Sequence, residues 1–258
     1  MNEISVVINT YNAGKYLAEC LEAVKTFNEI VVCDMESTDN TLDIAREYNC
    51  KIVTFPKANH RSAEPARTFA IQSASYDWVL VVDCDELVTP ELREYLYEHI
   101  QKENCADGLF IPRMNYELNT FFKGTYPDYQ LRFFRKEGTT WPPYVHTIPD
   151  VKGVKEKIPA KRMDLALRHM SNTMANTINK LNQYTDNEVE KKKDKKASLL
   201  KMIFSPLTRF FKVYIIKGGF RYGRLGFIIA QQQAMYKFVI LAKLYEREME
   251  EKNKKANS

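Results

Sequence analysis

The chain has 258 residues, of which 45% are hydrophobic and 28% are charged, and its formal net charge is +5 at pH 7. This composition excludes a largely disordered chain, and the length predicts one large domain or one domain with an appendage. The mild positive excess fits an anionic surface or ligand, and we expect no nucleic-acid partner. Five cysteines without a CxxC pair, and no secretory signal pattern at the N-terminus, favour a cytoplasmic protein.

The first hundred residues alternate between strand and helix patterns. Apolar, often β-branched runs predict strands at 3–9, 29–34, 51–55 and 77–83, and periodicity predicts helices at 13–24, 37–48, 64–74 and 89–100. Asn12 is expected to cap the first helix, and Thr89 and Pro90 to begin the last. This alternation is typical of an α/β fold, with a mostly parallel sheet covered by helices on both faces.

The rest of the chain changes character twice. Residues 106–175 are rich in aromatic residues and are punctuated by Pro and Gly, which favours further strands and loops built onto the first sheet. Residues 176–250 have a helical, basic and amphipathic pattern, and 251–258 are expected to be a disordered tail.

Polar clusters follow three of the predicted strands. They are Asn9–Tyr11, Asp34 and Asp83–Asp85. Ligands of open α/β sheets bind at the carboxyl ends of the strands, so these clusters predict a site. Two carboxylates spaced two apart on extended backbone point the same way and suit Mn²⁺ or Mg²⁺ together with phosphate oxygens. The alternative is that Asp83 and Asp85 are solvated turn residues before the next helix.

Three segments carry a resemblance to a known family. VVINTYNAGKYLAECLEAV, EIVVCDMESTDNTLDIA and DWVLVVDCDE occur in this order and together resemble the family 2 glycosyltransferases. The resemblance implies the GT-A fold, a nucleotide-sugar donor and a divalent metal. It implies donor contacts from Thr10, Tyr11, Asn12, Asp34, Arg67 and Asp83, and metal contacts from Asp83 and Asp85. The chain departs from the usual pattern at Met35–Glu36 and at Thr68, where Asn is commoner.

Later segments extend the resemblance over nearly the whole chain. YPDYQLRFFRK, VHT and LRHMS are similar to a bacterial subgroup of lipopolysaccharide core biosynthesis glycosyltransferases, often β-1,4-glucosyltransferases. This implies inverting transfer of a hexose, from a UDP-glucose-like donor, to a cell-envelope glycolipid. It also implies a catalytic domain at 1–175, with a nucleotide-sugar half at about 1–105 and an acceptor half at about 106–175, followed by a helical extension at 176–250. Thr147 stands where the subgroup commonly has an acidic residue.

Inverting transfer needs a general base for the acceptor hydroxyl. The resemblance favours Asp128, with Glu117 as a weaker rival, while an Asx-turn after Pro127 is the structural alternative. The LRHMS segment implies a diphosphate contact from Arg168 and a third metal ligand in His169, although a purely structural histidine is equally open. His146 either contacts the acceptor or packs in its loop.

Residues 202–246 place large aromatic and aliphatic side chains among cations. We expect this segment to lie on an anionic surface at the inner face of the cytoplasmic membrane, because no uncharged apolar stretch reaches the roughly 18 residues of a spanning helix. The alternative is helices that pack only against the catalytic domain.

Two other functions compete with glycosyl transfer. A nucleotidyltransferase would have a Gly-rich loop after the first strand, where this chain has only Gly14. A non-catalytic nucleotide-sugar-binding or membrane scaffold protein would bind donor without turnover.

Overall fold

The computed structural model describes residues 3–60, 62–144, 147–192 and 195–256. The chain forms two compact units. The first comprises Met1–Asn115 and Tyr126–Met170, and the second comprises Tyr116–Thr125 and Ser171–Ser258. A short hairpin from the middle of the sequence, Tyr116–Thr125, thus belongs to the helical unit, and the catalytic-domain bound expected at residue 175 stays a prediction.

The first unit begins with the eight elements predicted from the sequence pattern. The strands are β1 (Ile4–Thr10), β2 (Glu29–Asp34), β3 (Lys51–Thr54) and β4 (Trp78–Asp83), and the helices are α1 (Leu17–Val24), α2 (Thr41–Glu47), α3 (Glu64–Gln72) and α4 (Pro90–Ile100). The cap of α4 is confirmed, since the Thr89 side chain accepts a hydrogen bond from the backbone N–H of Leu92 at 3.1 Å. The predicted α/β class is also confirmed.

The start of α1 differs from the prediction. The helix begins at Leu17, and Asn12 does not cap it. Asn12 has a left-handed backbone (φ +48°), a conformation that Asn tolerates better than most residues. Its Oδ1 accepts a hydrogen bond from the backbone N–H of Thr38 at 2.8 Å, which ties together the loops that follow β1 and β2.

The remaining strands enlarge this sheet. They are β5 (Glu86–Leu87), β6 (Gly108–Glu117), β7 (Thr120–Phe121), β8 (Asp128–Arg135), β9 (Lys155–Lys157) and β10 (Leu167–Asn172). In the described residues ten strands form one sheet with the order β3-β2-β1-β4-β8-β6-β10-β5, and β7 and β9 pair with β6. The first four strands are parallel to one another, and β8 is antiparallel to β4.

Both faces of the sheet are buried. On β1, Ile4 and Ile8 belong to a cluster that includes residues of α1 and α4, whereas Val7 belongs to a second cluster that includes residues of α3. Each fully buried branched side chain stabilises the fold by about 1.5–3 kcal/mol. This packing fixes the strand ends on which the candidate site is built.

The second unit is helical apart from its hairpin. It contains α5 (Met174–Lys191), α6 (Leu199–Phe211), a π-helical turn (Lys212–Ile216) and α7 (Gly223–Ala256). Phe122 of the hairpin packs in a cluster with Val213, Ile229 and Ala230.

The expectation of a disordered tail at 251–258 was wrong for 251–256, which continue α7. This stretch, like the turn before it, is rich in Glu and Lys, which are good helix formers. An i,i+4 ion pair between Arg247 and Glu251, at 3.4 Å, adds to the helix.

One helical stretch among the described residues, Gly219–Lys254, is long and apolar enough to cross a membrane when only length and composition are considered. The core helix of a soluble protein passes the same test. The orientation expected from the sequence, a helix that lies on the membrane, therefore remains a prediction.

Candidate functional site

The carboxyl ends of β1, β2 and β4 lie side by side, as expected for a site at this edge. Thr10 pairs with Asp34 across β1 and β2, and Asn9 pairs with Asp83 across β1 and β4. The Asp34 carboxylate is 1% exposed. It accepts hydrogen bonds from Thr10 Oγ1 at 2.9 Å, from Ser37 Oγ at 2.6 Å and from the Ser37 backbone N–H at 2.8 Å. These bonds alone account for a buried aspartate, so its predicted contact with a nucleobase stays a prediction.

Tyr11 and Asn12 follow Thr10 at the rim of this edge. Tyr11 is exposed, and Lys57 Nζ lies 4.8 Å from the centre of its ring. The backbone N–H of Asn12 donates to Ser37 Oγ at 2.8 Å. The structure therefore brings the predicted donor residues of the first two loops together.

Asp83 at the end of β4 is held by two arginines. Arg67 Nη2 donates to Asp83 Oδ1 at 2.8 Å, and Arg132 Nη2 donates to Asp83 Oδ2. Burial on its own would raise the pKa of Asp83, but the charges and hydrogen bonds of Arg132 and Arg67 outweigh it and hold the pKa well below its usual range. The structure thus gives Asp83 two guanidinium partners, and its predicted contact with the donor or the metal stays a prediction.

Glu86 is a site residue that the sequence analysis missed. Its side chain is fully buried. Its Oε1 accepts from Arg113 Nη1 at 2.8 Å and from Arg132 Nη2 at 3.4 Å, and its Oε2 accepts from the Asp83 backbone N–H at 3.1 Å. A buried carboxylate requires such partners. The available signal was the pair of arginines, Arg113 and Arg132, inside otherwise apolar strand patterns.

Asp128, the predicted base, lies at the start of β8 and is also bound by side chains. Its Oδ2 accepts from Arg113 Nε at 3.0 Å, from Arg113 Nη2 at 2.7 Å and from Asn115 Nδ2 at 3.0 Å, while its Oδ1 accepts from Gln130 Nε2 at 3.0 Å. Burial alone would raise the pKa of Asp128, but Arg113, Asn115 and Gln130 lower it below the ordinary value. Oδ1 retains room for one further donor, because each carboxylate oxygen has about two acceptor positions.

His169 and Asp85 meet where β5 pairs with β10. The backbone carbonyl of Asp85 accepts from Met170 N–H at 2.7 Å, and His169 lies opposite Glu86 in the ladder. His169 Nε2 is 3.3 Å from Asp85 Oδ2, and its Nδ1 is 3.1 Å from Asn115 Oδ1. The structure therefore brings together two of the predicted metal ligands.

The tautomer of His169 follows from its neighbours. Ionised Asp128 only accepts, so Asn115 must turn its NH₂ group towards Asp128 and its oxygen towards His169. His169 Nδ1 must then donate to that oxygen. Nε2 consequently faces the Asp85 carboxylate either as a second N–H donor or with an unprotonated lone pair. With the lone pair, His169 and Asp85 can bind the same cation.

A divalent cation fits this pair in distance as well as in chemistry. Neighbouring ligands of an octahedral ion at about 2.1 Å lie about 3.0 Å apart, close to the observed 3.3 Å. Within the described ranges, no group of three or more His, Cys, Asp or Glu side chains is arranged to hold a metal ion. Mg²⁺ commonly uses one or two protein ligands and completes its shell with phosphate and water.

Together these contacts form one continuous network. It joins Arg67, Asp83, Arg132, Glu86, Arg113, Asp128, Asn115, His169 and Asp85, in that order. Three guanidinium groups alternate with three carboxylates, and Asn115 and His169 link the last of these to the fourth carboxylate, Asp85. The network holds the predicted metal, donor and base residues at fixed positions.

Trp141, which the sequence analysis did not single out, covers the two arginines that hold Asp83. The centre of its ring lies 4.6 Å from Arg67 Cζ and 5.7 Å from Arg132 Cζ. Thr68 Oγ1 accepts from the Trp141 backbone N–H at 2.9 Å and donates to the Trp141 carbonyl at 3.1 Å. The threonine that departs from the family pattern thus anchors the loop that carries Trp141.

The remaining predicted residues are Arg168, Glu117 and His146. Arg168 is exposed, and because side chains alternate along a strand it points away from the face of β10 that carries His169. Glu117 belongs to the helical unit, where it pairs with Thr120 in the hairpin. His146 lies outside the described residues.

The chain is similar to known proteins. The model of the family described as "Glycosyl transferase family 2" matches residues 5–158. The lipopolysaccharide core biosynthesis glycosyltransferase LpsC of Rhizobium meliloti is 27% identical over 252 residues, covering 95% of this chain and 92% of the relative. An uncharacterized glycosyltransferase of Rickettsia felis is 28% identical over 275 aligned positions, covering 100% and 95% of the two chains. The crystal structure of S. aureus TarS 1–349 in complex with UDP has a TM-score of 0.49 and 19% identity, covering 98% of this chain and 92% of that one.

The fold class implied by the resemblance is confirmed: a GT-A sheet, mostly parallel in its first half, with helices on both faces and a helical C-terminal unit. The family match spans more than half of the sequence. The chain therefore belongs to glycosyl transferase family 2.

Proposed function

We propose that the protein transfers a hexose, with inversion, from a UDP-glucose-like nucleotide sugar to a cell-envelope glycolipid such as a lipopolysaccharide core. The R. meliloti relative, whose name assigns it to lipopolysaccharide core biosynthesis, aligns over nearly the full length of both chains, which supports this class of acceptor. The observation that carries the proposal is the network that joins Asp83, Asp85, Asp128 and His169 at one edge of the sheet.

The nucleoside would bind over the loops after β1 and β2. Thr10, Tyr11 and Asn12 would form one side of this pocket, and Asp34 would accept from the base. Arg67, rigidly held by Asp83 and Trp141, would face the diphosphate, because its Nε and Nη1 are buried and find no hydrogen-bond partner among the described residues. Buried unpaired donors are costly unless a ligand uses them, so the bound phosphate would account for them. Arg168 is a second, weaker candidate for this contact.

Asp85 and His169 would hold Mn²⁺ or Mg²⁺. When bound, the ion supplies positive charge that stabilises the departing nucleoside diphosphate. Asn115 would keep the His169 imidazole in the tautomer whose Nε2 binds metal. Asp83 would act through its arginines, and its direct contact with metal or ribose stays a weaker alternative.

Asp128 would take the proton from the acceptor hydroxyl. Its Oδ1 is the oxygen with room for another donor, and its low pKa keeps the carboxylate ionised at neutral pH. Arg113 and Asn115 hold the other oxygen, so the base would be fixed in orientation.

Thermal-shift measurements with a panel of nucleotide sugars, each with and without Mn²⁺, test the donor class. A ligand that binds the folded state raises the melting temperature by mass action. We expect a UDP-hexose to give the largest shift, and the shift to need Mn²⁺ or Mg²⁺. The selected donor is then incubated with core glycolipid, and the anomeric configuration of the product is read by NMR. Absence of transfer to any glycolipid, with transfer to a soluble saccharide, would contradict the proposed acceptor.

A glycolipid acceptor would place the enzyme at the inner face of the cytoplasmic membrane. We propose that the helical unit makes this peripheral contact.

A further inference from the structure

Helix α6 has an apolar face that the described residues leave about half exposed. Leu200, Ile203, Phe204, Leu207 and Phe211 recur at helical spacing and are each between 46% and 67% exposed. We call these five residues the outer face of α6. Residues spaced three and four apart lie on one side of a helix, so they form a continuous stripe.

The opposite side of α6 packs against α7. Arg209 Nη2 donates to Gln233 Oε1 at 2.6 Å, the rings of Phe210 and Phe227 are 5.5 Å apart, and Val213, just beyond α6, is buried. The helical unit therefore has its own apolar contacts without the outer face. A contiguous exposed apolar stripe of this kind marks a binding surface.

Two exposed cations accompany the outer face: Lys201 on α6 and Lys212 just after its last residue. Lys201 follows Leu200 and lies three residues before Phe204, and Lys212 follows Phe211, so positive charge is concentrated beside the apolar stripe. Such a concentration attracts anionic phosphate groups.

We propose that the outer face of α6 inserts into the headgroup region of an anionic phospholipid bilayer, with the helix parallel to the membrane surface. An apolar stripe next to cations is the arrangement of interfacial helices, in which apolar side chains enter the acyl boundary and the cations remain near lipid phosphates. A second copy of the chain is a poorer occupant, because two such cation clusters would repel each other. The inference concerns the membrane and stands whether or not the proposed acceptor is correct.

The polar contacts of α7 favour this arrangement over a spanning helix. Lys243 Nζ donates to Asp186 Oδ1 at 2.6 Å and to Asn182 Oδ1 at 2.8 Å on α5, and Gln233 is paired with Arg209. A spanning α7 would carry these groups and Lys237 into hydrocarbon, where charged side chains are costly. The surface orientation leaves them hydrated or paired.

The test is flotation of the full-length protein with two kinds of vesicle, pure phosphatidylcholine and phosphatidylcholine with phosphatidylglycerol, at low and high salt. We expect binding to the anionic vesicles at low salt, and weak binding to the neutral ones. The double variant Phe204→Ser, Leu207→Ser keeps the net charge and should bind at least about tenfold more weakly. A second variant, Lys201→Gln with Lys212→Gln, should lose most of its salt-sensitive binding.

Exposed Gln183 on α5 provides a control for surface substitutions, since Gln183→Ser should bind like the unmodified protein. Circular dichroism melts show that each variant is folded, and sedimentation velocity reports its oligomeric state. No vesicle binding by the unmodified protein, or equal binding by the Phe204→Ser, Leu207→Ser variant, overturns the proposal. A dimer that dissociates in that variant, without vesicle binding, assigns the face to a second copy and also overturns it.

Discussion

Replacement of Asp128 by Asn tests its role as general base while the hydrogen bonds of the site are kept. The amide oxygen can remain towards Arg113 and Asn115, which are donors, and its NH₂ group then faces Gln130. Gln130 can rotate its own amide and present an oxygen, so every hydrogen bond can be kept. The substitution therefore removes the negative charge and the proton acceptor while the geometry is preserved.

The expected magnitudes follow from these contacts. Stability should fall by about 1–2 kcal/mol, at the lower end for a charged hydrogen bond because the Asp128 side chain is 32% exposed and Arg113 keeps its bond to Glu86. Transfer should fall by about 10²–10⁴-fold, the range for loss of a general base. That range corresponds to about 2.7–5.5 kcal/mol of transition-state stabilisation.

Single-turnover transfer rates and donor affinity by isothermal titration calorimetry measure the two effects separately. Donor affinity should stay within about twofold, since Asp128 is not among the proposed donor contacts. Glu117→Gln is the matched control, because it makes the same chemical change in the rival carboxylate. Near-normal transfer by Asp128→Asn together with a large loss in Glu117→Gln would refute the assignment of the base.

The pH profile gives an independent check. A base whose pKa is lowered stays ionised below the ordinary carboxylate value of 3.8, so protonation of Asp128 should not reduce kcat/KM between pH 7 and about pH 5. An acidic limb that is centred near pH 6, and that disappears in Asp128→Asn, would contradict the lowered pKa.

Four further changes test other parts of the site. Asp85→Ala should abolish Mn²⁺-dependent donor binding, and titration calorimetry at matched ionic strength measures it; metal-dependent binding that persists would remove Asp85 from the metal site. Asp34→Ala should weaken donor binding by about 1–3 kcal/mol, whereas unchanged affinity for every nucleoside diphosphate would make Asp34 a structural residue only. Thr68→Val leaves the buried Trp141 backbone N–H without its partner and should lower the free energy of unfolding by about 1–3 kcal/mol, measured by urea denaturation; no change would show that the loop is held by other contacts. Asp83 has a strongly lowered pKa, so its contribution to stability is complete above about pH 4 and is lost as the pH falls towards the folded-state pKa; Asp83→Asn should flatten the acid side of the stability curve, and an unchanged slope would argue against the ion pairs.

The first half of the fold could be predicted because its strands are nearly continuous apolar runs separated by helical periodicity. The edge at which Thr10, Asp34 and Asp83 meet follows from the rule that parallel strands present their carboxyl ends together. Helix starts were less predictable, as Asn12 shows. Its side chain satisfies a backbone N–H in a distant loop, a contact that local sequence preference does not contain.

The charged network could be predicted only in part. Motifs in the sequence predict Asp83, Asp85 and Asp128. Glu86 and Arg113 are far apart in the sequence, and only the pairing of strands in the folded chain brings them into contact. Charged residues in apolar strand patterns gave a signal for Arg113 and Arg132, but not the identity of their partners. The exposed face of α6 could not be predicted for another reason. The sequence shows which residues of a helix are apolar, but not which of them the neighbouring helices cover.

The most direct test of the proposed function is a radiolabel transfer assay with a UDP-hexose, purified core glycolipid and the unmodified protein, with and without Mn²⁺. The variants Asp85→Asn and Asp128→Asn are assayed in parallel. We expect labelled glycolipid only from the unmodified protein with metal. Asp128→Asn should bind donor in a metal-dependent way without appreciable transfer, and Asp85→Asn should show neither activity. Full transfer by Asp85→Asn, or by the unmodified protein in excess chelator, would contradict the proposed function.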